Sequence, residues 1–360
     1  MTDFAKNPQI SGLYLPAGWI NYDYIINKYI ITQKAWLVII LGKRQVGKTY
    51  GALHSMLKWD LQHVLLRRTT AELDLITASP DLNPYKAFEP DYRVGLFKQN
   101  KKLCRICDWL PDPEGKVIIG EQRGIATSLS EIAHMRGFSG RAFTDLVFDE
   151  FIPEKGVITR KTEGDSFLNA YTTINGNREL EGEPPLRAWL LANTNRIDSP
   201  ILDALHVTDD ILYMRRKGIE ELLTDEGYYI LQPFSAKVTE LRADTALMRA
   251  ISKESDFYKM AMKNEFAYDD SPYIKNIPIK HLQPTFSWDN KMFCWERVGG
   301  YYICRAAFRS VHAPKYSASR TDKERLAMEF AWMKPYYYAG CILFSDLGVL
   351  SMFKQIFDIT

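Results

Sequence analysis

The sequence predicts an α/β protein whose first part is built on a central, mainly parallel sheet. Three observations lead there. Residues 35–41 (Ala-Trp-Leu-Val-Ile-Ile-Leu) form a continuous apolar run rich in branched side chains, as a strand buried on both faces requires. Residues 42–49 follow at once and fit GxxxxGK[ST], the pattern of a phosphate-binding loop. Beyond them short strands alternate with helical stretches, the texture of a layered, doubly wound sheet.

Taken in order, residues 1 to about 20 carry Pro8, Gly12, Pro16 and Gly18 and read as an irregular lead-in. A helix is expected from 48 to about 59, after the loop. Residues 63–67 read as the second strand, 144–148 as the third and 186–192 as the fourth, with a helix over 165–173 before the last. Residues 91–119 read instead as hairpins, with Asp112-Pro113-Glu114-Gly115 as a turn. After Pro200 the texture changes. Val238, Leu241, Leu247, Met248 and Ile251 recur at near-helical spacing, and Phe257, Met260 and Ala261 continue it. Residues 292–298 and 301–308, joined by Gly299-Gly300, predict a hairpin in a final aromatic region. The expected organisation is an ATPase domain over 1–205, a helical connector over 206–270 and a smaller α/β domain over 271–360.

Composition bounds the function classes. The 360 residues are 46% hydrophobic and 25% charged, which excludes a disordered or fibrous chain. The longest apolar run, 35–41, falls far short of the ~20 residues that span a bilayer, so no membrane partner is expected. The opening MTDFAKNPQ lacks the layout of a secretory signal. Five cysteines imply no disulfide framework; Cys104 and Cys107 form a CxxC without a second one, so buried or free thiols are expected there. The net charge of +2 argues at first against nucleic acid. Divided by region it does not: 198–270 holds nine basic against fifteen acidic residues, and 271–320 eight basic against two acidic.

The chemistry concentrates in two places. Gly42, Lys43, Arg44, Gln45, Val46, Gly47, Lys48 and Thr49 would wrap phosphates with backbone N–H groups at the start of a helix. Lys48 would reach the β- and γ-phosphates and Thr49 would bind Mg²⁺. The strand over 144–148 ends in Asp149 and Glu150, a second metal ligand and a carboxylate placed to orient and deprotonate water. Asn193 ends the fourth strand and is a candidate sensor of the γ-phosphate, a cap or turn role being the alternative.

These residues carry a resemblance. The loop with Arg44 inside it, Arg67-Arg68 after the second strand, Ser128-Leu129-Ser130, and the block Val147-Phe148-Asp149-Glu150-Phe151-Ile152 belong to it. So do Asn177-Arg178 and the strand Trp189-Leu190-Leu191-Ala192-Asn193. Together they resemble the DNA-packaging ATPases of small protein-primed tailed phages, the phi-29 type, relatives of the terminase large subunit. The resemblance covers 20–205 well and the remainder loosely. It implies an ASCE-type (additional strand, catalytic glutamate) motor that uses ATP and Mg²⁺ to drive double-stranded DNA into a procapsid. It also implies a homo-oligomeric ring, usually of five copies, docked on the portal in the host cytoplasm, with a packaging RNA as a further candidate partner. By position, Lys48 and Thr49 bind nucleotide and metal, Asp149 completes the metal site, Glu150 is the catalytic carboxylate and Arg44 is the loop arginine. Arg178 is the candidate arginine finger acting on a neighbouring subunit, with Arg123, Arg136 and Arg141 as alternatives. A helicase-like or assembly NTPase acting on single strands or protein is the competing reading.

Terminase large subunits carry an RNase H-like nuclease after the motor. In 271–360 the first strand of the hairpin holds only Glu296, and Asp346 and Asp358 are scattered, so an inactive, vestigial nuclease domain is expected. Two basic groups are candidate DNA contacts: Lys98, Lys101, Lys102 and Arg105 in the hairpin insertion, and Lys291, Arg305 and Arg309 in the last region.

Overall fold

The computed structural model describes residues 12–100, 102–132, 140–153, 162–193, 197, 199–252, 258, 262, 273–274, 283–297, 301–305, 313–339 and 341–359. The chain divides into two units, Met1–Ala267 and Tyr268–Thr360.

In the first unit a short helix α1 (Tyr22–Ile25), continued by a π-helical turn Ile26–Ile30, precedes strand β1 (Leu37–Leu41). All five β1 residues are buried, each worth roughly 1.5–3 kcal/mol when fully removed from water. The glycine loop leads into α2 (Lys48–Lys58), then β2 (His63–Arg67) and α3 (Thr70–Thr77). A capping box closes α3: Thr69 Oγ1 accepts from the Glu72 N–H, and the Glu72 carboxylate accepts from the Thr69 N–H. That box fixes the chain just after Arg67 and Arg68. The hairpin region is a meander of β3 (Val94–Lys98), β4 (Leu103–Pro111) and β5 (Val117–Ser128). Its β4–β5 turn is the expected one, with Asp112 Oδ1 accepting from the Glu114 and Lys116 N–H groups. Cys104 and Cys107 on β4 are buried, and burial pushes both thiols up.

The chain continues through α4 (Leu129–Ile132), β6 (Asp145–Asp149), α5 (Glu163–Asn175) and β7 (Arg187–Ala192). After α6 (Pro200–Ala204) and α7 (Thr208–Lys217) come β8 (Glu221–Leu223), β9 (Tyr228–Leu231), α8 (Ala236–Ala243) and α9 (Ala246–Ala250). The nine strands form one sheet in the order β3-β4-β5-β2-β6-β7-β1-β9-β8. From β5 to β9 every pairing is parallel, and antiparallel strands are added at both ends. Strand β7 separates β1, which carries the loop, from β6, which carries Asp149: this is the additional strand of the expected architecture. The carboxyl ends of β2, β6, β7 and β1 therefore meet on one rim, the place where open α/β sheets take ligands.

The expected boundary at residue 205 is corrected. Residues 206–250 do not form a separate helical connector, because β9 pairs with β1 from Leu37↔Tyr228 to Ile40↔Leu231 and completes its second side. Tyr229, Ile230 and Leu231 are buried there. A four-residue strand is too short to show a period against the helical pattern around it. That pattern is itself split, since α8 and α9 are separate helices with Asp244 and Thr245 between them.

The second unit holds β10 (Gln283–Trp288), β11 (Met292–Arg297), β12 (Tyr301–Arg305) and β13 (Lys315–Tyr316), then α10 (Arg320–Glu329), α11 (Met333–Tyr338), β14 (Ile342–Phe344) and α12 (Leu347–Ile356). The predicted hairpin is β11–β12, in a sheet of order β13-β10-β11-β12-β14. Phe344, Phe353 and Phe357 pack edge-on and tilted at 5.2 and 4.5 Å between ring centroids, tying α12 to the sheet.

Candidate nucleotide site

Two glycines let the loop take its path. A Cβ on Gly42 would stand 2.7 Å from Pro233 Cγ, so only glycine passes there. Gly47 sits at φ 87°, in the left-handed region, and begins α2 with no side-chain cap. The first N–H groups of an 11-residue helix thus open toward the rim, with the dipole favouring an anion.

Lys48 points back under the loop. Its Nζ donates to the carbonyls of Gly42 (2.9 Å) and Lys43 (2.8 Å) and to Asn193 Oδ1 (2.9 Å). Burial pushes its pKa down to about 7, with the Asp149 carboxylate opposing. From the other side Tyr22 Oη donates to the Lys48 carbonyl at 2.7 Å, fixing the start of α2. Thr49 Oγ1 donates to Asp149 Oδ1 at 2.8 Å, joining loop and strand end. Burial raises the Asp149 carboxyl, while the Arg67 charge and the Thr49 hydrogen bond act against it. Glu150 follows at φ 55°, a conformation costing a non-glycine residue about 1–3 kcal/mol, which turns its side chain out of the strand. Arg67, at the end of β2, donates to Asp149 (2.7 Å) and Glu150 (2.6 Å) together.

Lys48, Thr49, Asp149 and Glu150 border a cavity of about 660 Å³ that also takes in Arg44, Asn193 and, from the stretch that holds α8 and α9, Arg242, Thr245 and Met248. Hard oxygens at Thr49 and Asp149, beside a basic loop, are the donor set a Mg²⁺–phosphate group prefers.

Comparison with solved structures fits this arrangement. The chain aligns with "The Phi-28 gp11 DNA packaging Motor" over 92% of its length and 96% of that chain, with 16% identity and a TM-score of 0.56. The bacteriophage Phi-29 viral genome packaging motor assembly gives 92% and 97%, with 17% identity and a TM-score of 0.56. The fold is that of the phage DNA-packaging motors. No protein-family model and no curated protein matches the sequence.

Within this packaging-motor fold the sequence-predicted residues separate into groups. Lys48, Thr49, Asp149, Glu150, Asn193 and Arg44 come together at the cavity, as do Gln45 and Gly47; Gly42 and Val46 shape the loop behind them. Lys43 turns away and is fully buried, its Nζ donating to the Ser235 carbonyl at 3.3 Å and to the Thr239 hydroxyl. Arg178 does not fit the role of a finger reaching another subunit. It is buried, and its Nη2 donates to the Arg141 carbonyl (2.6 Å) and the Phe143 carbonyl, so it braces the approach to β6. Of the alternatives, Arg123 is bound by Asp60 and Asp108, and Arg141 is exposed beside Glu181 and Glu183. Arg136 lies outside the described residues.

Among the basic candidates, Lys98 pairs with Asp74 (2.9 Å) and Lys102 with Glu131 (2.6 Å) around the β3–β4 turn, while Arg105 is exposed on β4. In the second unit Lys291 pairs with Asp289 (3.1 Å) and Arg305 is partly buried on β12. Lys101 and Arg309 lie outside the described residues. Two residues of the site escaped the sequence reading. Arg67 was visible only as half of an Arg-Arg pair, with nothing to show that it holds both acids. Arg242 follows no motif; a basic residue in a helix is by default a solvated one.

Proposed function

We propose that this chain is an ATP-hydrolysing motor subunit that drives double-stranded DNA into a phage procapsid. The observation that carries the reading is the junction of Lys48, Thr49, Asp149 and Glu150 on one rim of a packaging-motor fold. The loop N–H groups and Lys48 hold the phosphates. Thr49 and Asp149 hold Mg²⁺, which when bound offsets charge on the phosphate oxygens. Glu150, half exposed beside Asp149, orients the attacking water and accepts its proton; Asn193, already bound to Lys48 Nζ, reports on the terminal phosphate. Release of Glu150 from Arg67 precedes that proton transfer, because a carboxylate held by a guanidinium is a weak base.

In this reading the subunits form a ring, of five copies, on the portal in the host cytoplasm, with a packaging RNA as a candidate scaffold. No helix among the described residues is long and apolar enough to cross a membrane. The second unit serves attachment or DNA contact rather than cutting. Asp346 Oδ1 caps α12 by accepting from the Val349 N–H, and Asp358 pairs with Lys323, so two of its three candidate acids already have structural work.

The test is ATP turnover of the purified chain with and without DNA. Stimulation by double-stranded DNA is expected; stimulation by single strands alone would favour the helicase-like reading. Lys48→Ala is expected to abolish nucleotide binding, whereas Glu150→Gln binds ATP and traps it. Plasmid cleavage in Mn²⁺ that Glu296→Ala abolishes would overturn the reading of the second unit.

A further inference from the structure

We infer that Arg242, on helix α8, binds the terminal (γ) phosphate of ATP held by the phosphate loop of its own subunit. The inference rests on the nucleotide reading above and adds to it a residue 198 positions from Arg44 in the chain.

Three carbonyls in succession line the start of the loop. Lys48 Nζ holds those of Gly42 and Lys43. Arg242 Nη1 holds the next, that of Arg44, at 2.7 Å. A loop lysine in this position is the group that reaches the β- and γ-phosphates, so Arg242 stands on the same rim one residue along. It borders the cavity that Lys48, Thr49, Asp149, Glu150 and Asn193 also border. A guanidinium carries five N–H donors in a planar fork, enough to hold the Arg44 carbonyl and phosphate oxygens together.

Charge points the same way. Arg44, Lys48 and Arg242 border the cavity, and Lys43 lies behind the same loop. Burial and then the Arg44 charge lower the Arg242 pKa, and Arg242 in turn helps to lower both lysines. Cations that depress one another around a cavity are relieved by a polyanion seated among them. The helix is also held in place to deliver the group. Lys43 grips α8 at Ser235 and Thr239 while Arg242 grips the loop, so the two elements are joined at two points. A packing role alone, in which Arg242 only staples the loop, is the rival account.

The two accounts differ in which ligand suffers. Fluorescent ATP and ADP analogues are titrated with Mg²⁺ into the full-length wild type, R242K and R242Q, and melting is followed in parallel. R242Q is expected to weaken ATP at least 10-fold and ADP less than 3-fold, with R242K recovering part of the ATP loss. Equal weakening of ATP and ADP, or no change in either, would overturn the assignment in favour of the staple. If R242Q melts below the assay temperature, the ATP-to-ADP affinity ratio of R242K decides: lowered supports the inference, unchanged overturns it. A folded wild type that binds neither analogue would instead bring down the nucleotide reading itself, and this inference with it.

Discussion

Arg67 bridges the two carboxylates at the end of β6, with Nη1 2.7 Å from Asp149 and Nη2 2.6 Å from Glu150. The partners are unequal: the Asp149 side chain is 8% exposed and that of Glu150 53%. Removing Arg67 leaves a buried carboxylate beside α2 and only a solvated one at Glu150. Arg67→Ala is therefore expected to lose about 3 kcal/mol of stability, and Glu150→Gln less than about 1 kcal/mol. Urea unfolding of the two variants compares them directly; equal losses would show that the inner pair is no more buried in its energetics than the outer one.

The lysine of the loop makes binding pH-dependent. Burial pushes the Lys48 ammonium down to about 7 in the folded chain, from the 10.5 of a free lysine. Between those values the unfolded chain binds more protons, so the stability penalty of burying Lys48 is full below the folded value and fades as pH rises through the window. A bound polyphosphate favours the charged ammonium and reverses the shift. ATP binding at about pH 8 is then accompanied by proton uptake, and affinity falls as pH rises from about 7 to about 9. Calorimetry in two buffers of different ionisation heat measures this, and Lys48→Arg should reduce the uptake. Buffer-independent heats in the wild type would contradict the buried, depressed state of Lys48.

Arg178 is expected to behave as a structural residue. With its own guanidinium buried against the Arg141 and Phe143 carbonyls, Arg178→Ala should cost about 2–3 kcal/mol and lower the melting temperature. Mixing it with Glu150→Gln subunits should restore no activity. Recovery in the mixture, with unchanged melting, would return Arg178 to the role of a group acting across subunits.

Lys98 sits in an exposed pair with Asp74, and Lys102 reaches from solvent to the partly buried Glu131; surface pairs of this kind contribute little to stability. Their alanine variants should fold with stability within about 0.5 kcal/mol of wild type. If the β3–β4 turn touches DNA, each should lower the slope of log affinity against log salt by about 1. Unaltered slopes in both would move the DNA contact elsewhere.

What the sequence revealed and what it hid have a common physical basis. β1, the loop and α2 are contiguous, so their chemistry lies in one stretch of residues, and the strand-end pair Asp149-Glu150 is marked by the apolar run before it. Asn193 was legible for the same reason. Arg67 and Arg242 matter only through distant partners, 82 and 198 positions away, and a local pattern carries no trace of either pairing. Strand β9 was lost because four residues cannot display a period, although it is the second neighbour of β1. Arg178 stood out only through the resemblance at Asn177-Arg178, and no local pattern shows that carbonyl partners at Arg141 and Phe143 draw it inside.

The position of β1 between β7 and β9 has a mechanical meaning. Its amides are hydrogen-bonded on both sides beneath fully buried side chains, so they should be among the last in the chain to exchange with solvent deuterium. The phosphate loop is cantilevered from that slowest-opening strand. A nucleotide seated there is fastened to the least yielding part of the subunit, a fixed frame against which the edges of the sheet can be displaced.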